Sequence, residues 1–324
     1  MSDEEYATTY HTPVLVEEVL EYLAVESGRC YVDATAGGGG HTEALLAASE
    51  PDGEVIAVDR DPEAVEQVRD RLGGDDRLTV ERANYSELPE VLRRLGNPPV
   101  DGLLIDAGVS SHQLDEARRG FSLRREGPLD MRMGPEAPTV AEYLDDVDVD
   151  ELAGVLGDFG EISGSHRLAR VLLEARAEGE LETTTDLADL VEDRRGTPPW
   201  KKSSIHPATL VFQALRIAVN RELEHLADAV ELIPEVVAGG GRAVIISFHS
   251  LEDRIVKHGF RRLAEPCVCP PDLPRCGCGA ESFGEVLTKG PVMASDDEVE
   301  SNPRSRSAKL RAFRLFEDGG RPPN

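Results

Sequence analysis

Apolar residues along this 324-residue chain come in short runs that stop at an acid and alternate with helix-like stretches. Pro13 to Leu23 sets Val16, Val19, Leu20 and Leu23 on one side of an amphipathic helix. Tyr31-Val32-Asp33 is a short strand leading to consecutive glycines, Gly37 to Gly40, and Thr42 to Ala48 starts a helix. Glu54 to Asp59 is a second strand, and Asp61-Pro62 opens another helix with proline in its first turn. Leu78 to Ala83 is a third strand leading to Asn84-Tyr85-Ser86, and Val100 to Asp106 is a buried strand that again stops at an acid. After Gly108-Val109-Ser110-Ser111 the alternation ends, and residues 115–205 read as helices separated by glycine and proline. A long helix at His206 to Arg216 and a strong strand at Arg242 to His249 follow. Ser250-Leu251-Glu252-Asp253 has the form of a capping box, and Leu310 to Phe316 is the last strand. There is no internal repeat.

Alternating strands and helices predict an α/β fold, a doubly wound parallel sheet whose ligand lies beyond the carboxyl ends of its strands. The predicted domains are a cofactor-binding sheet domain, residues 1–114 and 206–324, and a helical insert, residues 115–205. Asp33, Asp59, Tyr85 and Asp106 all fall at strand ends, an arrangement core packing does not explain. Glycines let the backbone approach a ligand closely, and free helix N–H groups favour anionic or carboxylate groups. Asp59 is placed to accept hydrogen bonds from ribose hydroxyls. The dinucleotide pattern Gly-x-Gly-x-x-Gly fails, because from Gly37 or Gly38 its last position falls on Thr42 or Glu43. The packed glycines after Asp33 instead resemble the first motif of S-adenosylmethionine-dependent methyltransferases, with Thr35 where a glycine is common. A glycine-rich structural turn is the bland alternative.

Composition narrows the setting. The chain is 40% hydrophobic, enough for a full core, and has no apolar run long enough to span a membrane. Its first residues are acidic and lack the basic region of a secretory signal. Five cysteines without a disulfide framework point to a reducing cytoplasm. Acids outnumber bases 62 to 35, a formal net charge of −27. That charge alone argues against nucleic-acid binding. With lysine scarce, arginine plentiful and the acids spread along the chain, it reads as a halophile's solubilising surface. One stretch breaks the pattern: residues 301–316 carry Arg304, Arg306, Lys309, Arg311 and Arg314 with no acid, a candidate phosphate contact or a solvated basic loop.

The motifs, taken in order, resemble one family. They are Asp33-Ala-Thr-Ala-Gly-Gly-Gly-Gly-His41, Asp106-Ala-Gly-Val-Ser-Ser-His-Gln113, Arg119-Gly-Phe-Ser122 and Gly127-Pro-Leu-Asp-Met-Arg132. Phe212-Gln-Ala-Leu-Arg-Ile217, Ser247-Phe-His-Ser-Leu-Glu-Asp253 and Asn302-Pro-Arg-Ser-Arg-Ser-Ala-Lys-Leu-Arg311 follow. Together they closely resemble the ribosomal small-subunit RNA methyltransferase H family, also called MraW, from His11-Thr-Pro13 to the last strand. The resemblance implies a Rossmann-like class I methyltransferase sheet and S-adenosylmethionine as methyl donor. It implies methylation of the exocyclic N4 of a cytidine in the decoding region of 16S rRNA, within the small ribosomal subunit. It places the cofactor on Gly39, Gly40, His41, Asp59, Tyr85, Asp106 and Gln113. Ala107 stands where leucine is common, and the surface is more acidic than usual.

The N4 amine is a weak nucleophile whose lone pair is delocalised into the ring, so the chemistry needs a hydrogen-bond acceptor on it. Asp106 is the candidate catalytic acceptor, with a cofactor-holding role as the other reading. Asn97-Pro98-Pro99 looks like an amino-methyltransferase motif, but it precedes its strand and reads as a turn. The insert's Arg118, Arg119, Arg124, Arg125 and Arg132 suit an RNA clamp or salt-bridged structure equally, since Asp115, Glu116, Glu126 and Asp130 are interleaved. No residue is assigned to a metal. Cys267, Cys269, Cys276 and Cys278 suit either a four-thiolate zinc site or a loop of free thiols. His249 reads as a substrate-side residue or a strand end, and Trp200 as packing in the insert, with RNA stacking as the other reading. A homodimer is compatible with the sequence. A small-molecule methyltransferase of the same fold, or a binding module that has lost catalysis, would share much of this pattern.

Overall fold

The apolar runs pair into a sheet because their side chains alternate between two faces, each of which is covered. A computed structural model describes residues 13–195, 208–267, 269 and 278–317. They form two units: a sheet unit up to Gly108 and from Leu223 onward, and a helical unit from Val109 to Glu222. The chain begins with α1 (Val16–Leu23), β1 (Cys30–Asp33), α2 (Gly40–Ala48) and β2 (Glu54–Asp59). It continues with α3 (Pro62–Leu72), β3 (Leu78–Arg82), α4 (Leu88–Arg94) and β4 (Val100–Asp106). The helical unit holds α5 (Ser111–Asp115), α6 (Val140–Asp146), α7 (Val149–Asp158), α8 (Ser165–Ala177), α9 (Thr184–Arg195) and α10 (Thr209–Asn220). The sheet resumes through α11 (Glu222–Val236), β5 (Val237–Ser247), α12 (Ser250–Ala264) and β6 (Gly284–Val286). It ends with β7 (Val292–Met293), α13 (Asp296–Ser301) and β8 (Lys309–Leu315).

The strand order is β3-β2-β1-β4-β5-β8-β6, with β7 also on β8. Strands β1 to β5 are parallel, and β8 runs antiparallel to both β5 and β6. On one face Val32, Ile56, Leu103, Ile105 and Ile245 pack with Leu226, Val230 and Ile233 of α11 and Phe260 of α12. On the other, Tyr31, Val55, Leu104, Val244 and Ile246 pack with Val19 and Leu23 of α1 and Leu45 of α2. From β1 the chain winds outward to β3 and returns to β4 on β1's other side, so the order reverses between β1 and β4. Doubly wound sheets bind ligands beyond the strand ends at such a reversal, and here Asp33 and Asp106 stand there.

Several boundaries differ from the sequence pattern. The units divide at Gly108/Val109 and Glu222/Leu223, not at 114/115 and 205/206. Helix α10 therefore belongs to the helical unit. Its Val211, Phe212, Leu215 and Val219 join a core with Leu129, Met131, Leu152 and Leu172. Buried Asn220 fixes it further, donating to the Met131 carbonyl (2.7 Å) and accepting from the Met133 N–H (2.8 Å). Strand β5 starts at Val237, ahead of the predicted Arg242, because Gly239 to Gly241 carry no side chains to show a period. Strands β6 and β7 are too short to leave an alternation in the sequence. The N-cap of α12 is His249 and not Ser250. His11, Thr12, Trp200, His206 and Cys276 lie outside the described residues.

Candidate active site

The loop after β1 stays fastened to both neighbouring strands. The Ala34 N–H donates to the Leu104 carbonyl (2.9 Å) and the Ala36 N–H to that of Val58 (3.0 Å). The chain then turns through Gly37 and Gly39, both left-handed, at φ 51° and 81°. Gly39 is the N-cap of α2, with no side chain capping the first turn. At Gly40 a Cβ would come within 2.9 Å of the Pro13 ring, so the backbone is packed as closely as glycine allows. The loop is also tied to β2. Asp59 accepts the Gly37 N–H on Oδ2 and the Asp61 N–H on Oδ1, each at 2.8 Å. Each carboxylate oxygen keeps a further lone pair for a ligand. Burial pushes Asp59 up to about 6, against the pull of those two N–H groups.

Two more acids flank the reversal point. Asp33 is fully buried; its Oδ2 accepts from the Thr42 hydroxyl (2.6 Å) and its Oδ1 from the Thr35 N–H (3.3 Å). Burial raises Asp33 despite His41 and Thr42, which favour its charge. Asp106 is positioned through its backbone, whose N–H donates to the Thr35 hydroxyl (2.6 Å). Its side chain is 9% exposed, with Oδ2 3.7 Å from His41 Nδ1. Among the described residues Oδ1 has no hydrogen-bond partner. Burial pushes Asp106 up to about 7; His41 opposes the shift, and Asp33 and Glu252 add to it. His41 Nε2 lies 2.9 Å from the Val14 carbonyl, which can only accept, so that nitrogen carries a proton and Nδ1 faces Asp106. Asp106 is thus a carboxyl balanced between its acid and base forms near neutrality.

Glycine loop, His41, Asp59 and Asp106 are gathered on the sheet unit. Tyr85 sits past β3 in a 3-10 turn, Tyr85–Glu87, packed half-buried against the core. An Asn84–Glu87 capping box holds that turn. Gln113 is buried in α5 of the helical unit, where its Oε1 accepts the Ser110 N–H (3.0 Å). Part of the reason for glutamine there is this cap, a signal Ser110-x-x-Gln113 carries in the sequence. His249 has a structural job: its Nδ1 accepts the Glu252 N–H (3.4 Å), and buried Glu252 accepts the Phe248 N–H (2.8 Å) in return. Thr35, Thr42 and Glu252 were not singled out by sequence. Thr35 occupies the variant position of the glycine motif, and its hydroxyl is what ties β1's loop to β4.

The cationic stretches are mostly spoken for. Arg311 is buried and forked onto Asp253 (2.7 and 3.1 Å), and Arg314 pairs with Glu285. Of the rest of the predicted basic island, Arg304 and Arg306 lie exposed on the turn Pro303–Ser307 and Lys309 is half-buried at the start of β8. In the helical unit Arg132 forks onto Asp130 (2.8 and 2.9 Å), Arg119 donates to the Arg132 carbonyl (2.9 Å), and Arg125 donates to the Asp115 carbonyl. Of these three, Arg132 makes an ion pair, and Arg119 and Arg125 tie backbone carbonyls.

No helix among the described residues is long and apolar enough to cross a membrane. Three relatives share the name Ribosomal RNA small subunit methyltransferase H. That of Geobacter sulfurreducens is 49% identical over 307 residues, 94% of this chain and 98% of that protein. That of Symbiobacterium thermophilum is 46% identical over 312 residues, 96% of this chain and 98% of that protein. That of Anaeromyxobacter sp. (strain K) is 48% identical over 305 residues, 93% of this chain and 96% of that protein. Residues 8–316 match the model of the MraW methylase family, so the matched region takes in the glycine loop, the strand-end acids and the helical unit alike, and the chain belongs to that family.

Proposed function

We propose that this protein transfers a methyl group from S-adenosylmethionine to the exocyclic N4 of a cytidine in the decoding region of 16S rRNA, within the small ribosomal subunit. A methyltransferase dependent on S-adenosylmethionine is what family membership supplies; its relatives' name supplies small-subunit ribosomal RNA. The base and the atom go beyond that name.

The residues fit the cofactor. The left-handed backbone turn at Gly39, the uncapped start of α2 at Gly40 and the carboxylate of Asp59 at the end of β2 suit the amino-acid and ribose parts. His41 and Tyr85 belong to the same unit. S-adenosylmethionine supplies a methyl group on a cationic sulfur. The observation that carries the reading is Asp106: a buried carboxyl at the sheet's reversal point with one oxygen left without a partner among the described residues. Such an oxygen can accept a hydrogen bond from the cytosine amine, concentrate its lone pair and take its proton. With a pKa pushed up to about 7, Asp106 is basic enough to receive that proton and acidic enough to release it.

The base must leave its stack to reach a strand-end carboxyl, so the target is single-stranded or flipped. Arg304 and Arg306 are the proposed phosphate contact on the sheet unit, and the helical unit is the proposed RNA-recognition addition. The test is nucleoside mass spectrometry of 16S rRNA after incubation of unmodified small subunits with the protein and labelled cofactor. Label in N4-methylcytidine is expected. Label elsewhere, or none despite cofactor binding by calorimetry, overturns the reading and shifts weight to a small-molecule acceptor. Replacing Arg304 and Arg306 by alanine should weaken binding to small subunits and leave cofactor affinity unchanged.

A further inference from the structure

The reaction uses none of the late cysteines. Cys267, Cys269 and Cys278 bring their sulfurs within 4.8 Å of one another, the only such group of His, Cys, Asp or Glu ligands among the described residues. Cys267 Sγ and Cys278 Sγ stand 3.7 Å apart. A disulfide would hold them about 2.05 Å apart. A tetrahedral zinc ion bonded to thiolates at about 2.3 Å spaces its sulfurs about 3.8 Å apart, close to the separation here. Three soft donors also select zinc over magnesium or calcium, which take oxygen. Cys30 is a contrast. It is buried in β1, where burial pushes its thiol up to about 11, and nothing of this kind gathers around it.

The place of the cluster says what an ion would do. Cys267 and Cys269 follow α12, and Cys278 comes just before β6. The ends of this excursion are already joined, since the Phe283 N–H donates to the Leu263 carbonyl at 2.9 Å. Among the described residues beside it, Cys278 and Glu281 are exposed, and Phe283 is 39% exposed. A metal clip restrains exposed residues such as these where apolar packing does not. We propose that Cys267, Cys269 and Cys278 hold a structural zinc ion that fixes the chain between α12 and β6. The site is separate from methyl transfer and does not depend on the reading of the substrate.

The full-length protein, purified without chelator and kept reduced, should carry one zinc per chain by mass spectrometry of its metal content. After exchange into cobalt it should show the near-ultraviolet absorption of thiolate bound to cobalt. Cys267→Ser or Cys278→Ser should lower bound zinc at least tenfold, and Cys30→Ser should leave it unchanged. The cobalt spectrum reads sulfur ligation on the unsubstituted chain, so a variant that fails to fold leaves the test intact. Zinc well below one per chain after reconstitution, iron in its place, or full zinc retention in the Cys267→Ser, Cys278→Ser double variant overturns the proposal.

Discussion

Acids at the strand ends of the sheet unit and acids of the helical unit meet opposite fates, and Asp75 of the sheet unit, held low by Arg77, follows the second pattern. In the sheet unit Asp33, Asp59 and Asp106 are all raised, in each case chiefly by burial. In the helical unit Glu142, Asp145 and Asp186 are all lowered, held charged by hydrogen bonds from Thr139, Arg176 and Thr183 respectively. The same residue type serves stability where an arginine or a helix cap holds it and works against it at the buried strand ends. A carboxyl kept dry and poorly neutralised costs folding energy, and it persists where something outside the chain will meet it. The second unit's acids cap helices and pair with arginine, as surface acids do.

Asp106→Asn should break this contrast most severely. The amide still accepts a hydrogen bond but cannot take the proton, which should slow single-turnover methyl transfer about 10²- to 10⁴-fold. Cofactor affinity should hold within about threefold, because the variant keeps the side chain's size and the backbone bond to Thr35. Equal loss of binding would make Asp106 a cofactor anchor instead. In the unsubstituted protein the rate should climb with pH and level off above about 7, as Asp106 becomes the carboxylate. Stability should run the other way. The folded pKa lies above the ordinary 3.8, so between 3.8 and about 7 the folded state holds a proton that the unfolded chain has released. Unfolding free energy contributed by this group therefore falls as pH rises through that window. Denaturant titrations should show the Asn variant gaining on the unsubstituted protein from pH 4 to 7, and a constant gap would sink the assignment.

Asp59→Asn comes next. It keeps the size but sets an amide NH2 against the Gly37 or the Asp61 N–H, so it loosens the loop's anchor as well as removing the charge. Losing hydrogen bonds to a charged acceptor is worth about 1.5–3 kcal/mol, or about 10- to 150-fold in cofactor Kd. At saturating cofactor the turnover should recover most of its value. A fall in kcat with unchanged Kd would remove Asp59 from the ribose position.

The strand ends were legible because each is an apolar run stopped by an acid, a pattern that period and burial both enforce. What stayed hidden falls into two kinds. Thr35 and Thr42 act through hydrogen bonds to groups brought near by folding, the 2.6 Å bonds from Thr42 to Asp33 and from the Asp106 N–H to Thr35. In the sequence Thr35 shows only as the odd residue of the glycine motif, and Glu252 only as part of a helix start. Helix α10 read as part of the sheet domain because its apolar stripe shows only that one face is buried, not against what. Asn220, whose two amide atoms meet the 131–133 backbone, decides the matter and looks like any surface asparagine in sequence. Arg311 misled in the same way: a basic run shows no acid nearby, and Asp253 arrives from α12 to bury it.

The smallest effect tests the other side of the comparison. Thr139 caps α6, accepting the Glu142 N–H (3.1 Å) while Glu142 accepts the Thr139 N–H (2.8 Å). Thr139→Ala should cost about 1 kcal/mol of stability by urea titration, the usual loss for a cap. Asp145→Asn, which breaks a pair exposed on its acid side, should cost less than loss of the cap, and less still in high salt. Neither should move cofactor affinity or the pH profile of methyl transfer. If either does, acids of the helical unit feed into the chemistry, and the division between acids that stabilise and acids that react does not follow the boundary between the units.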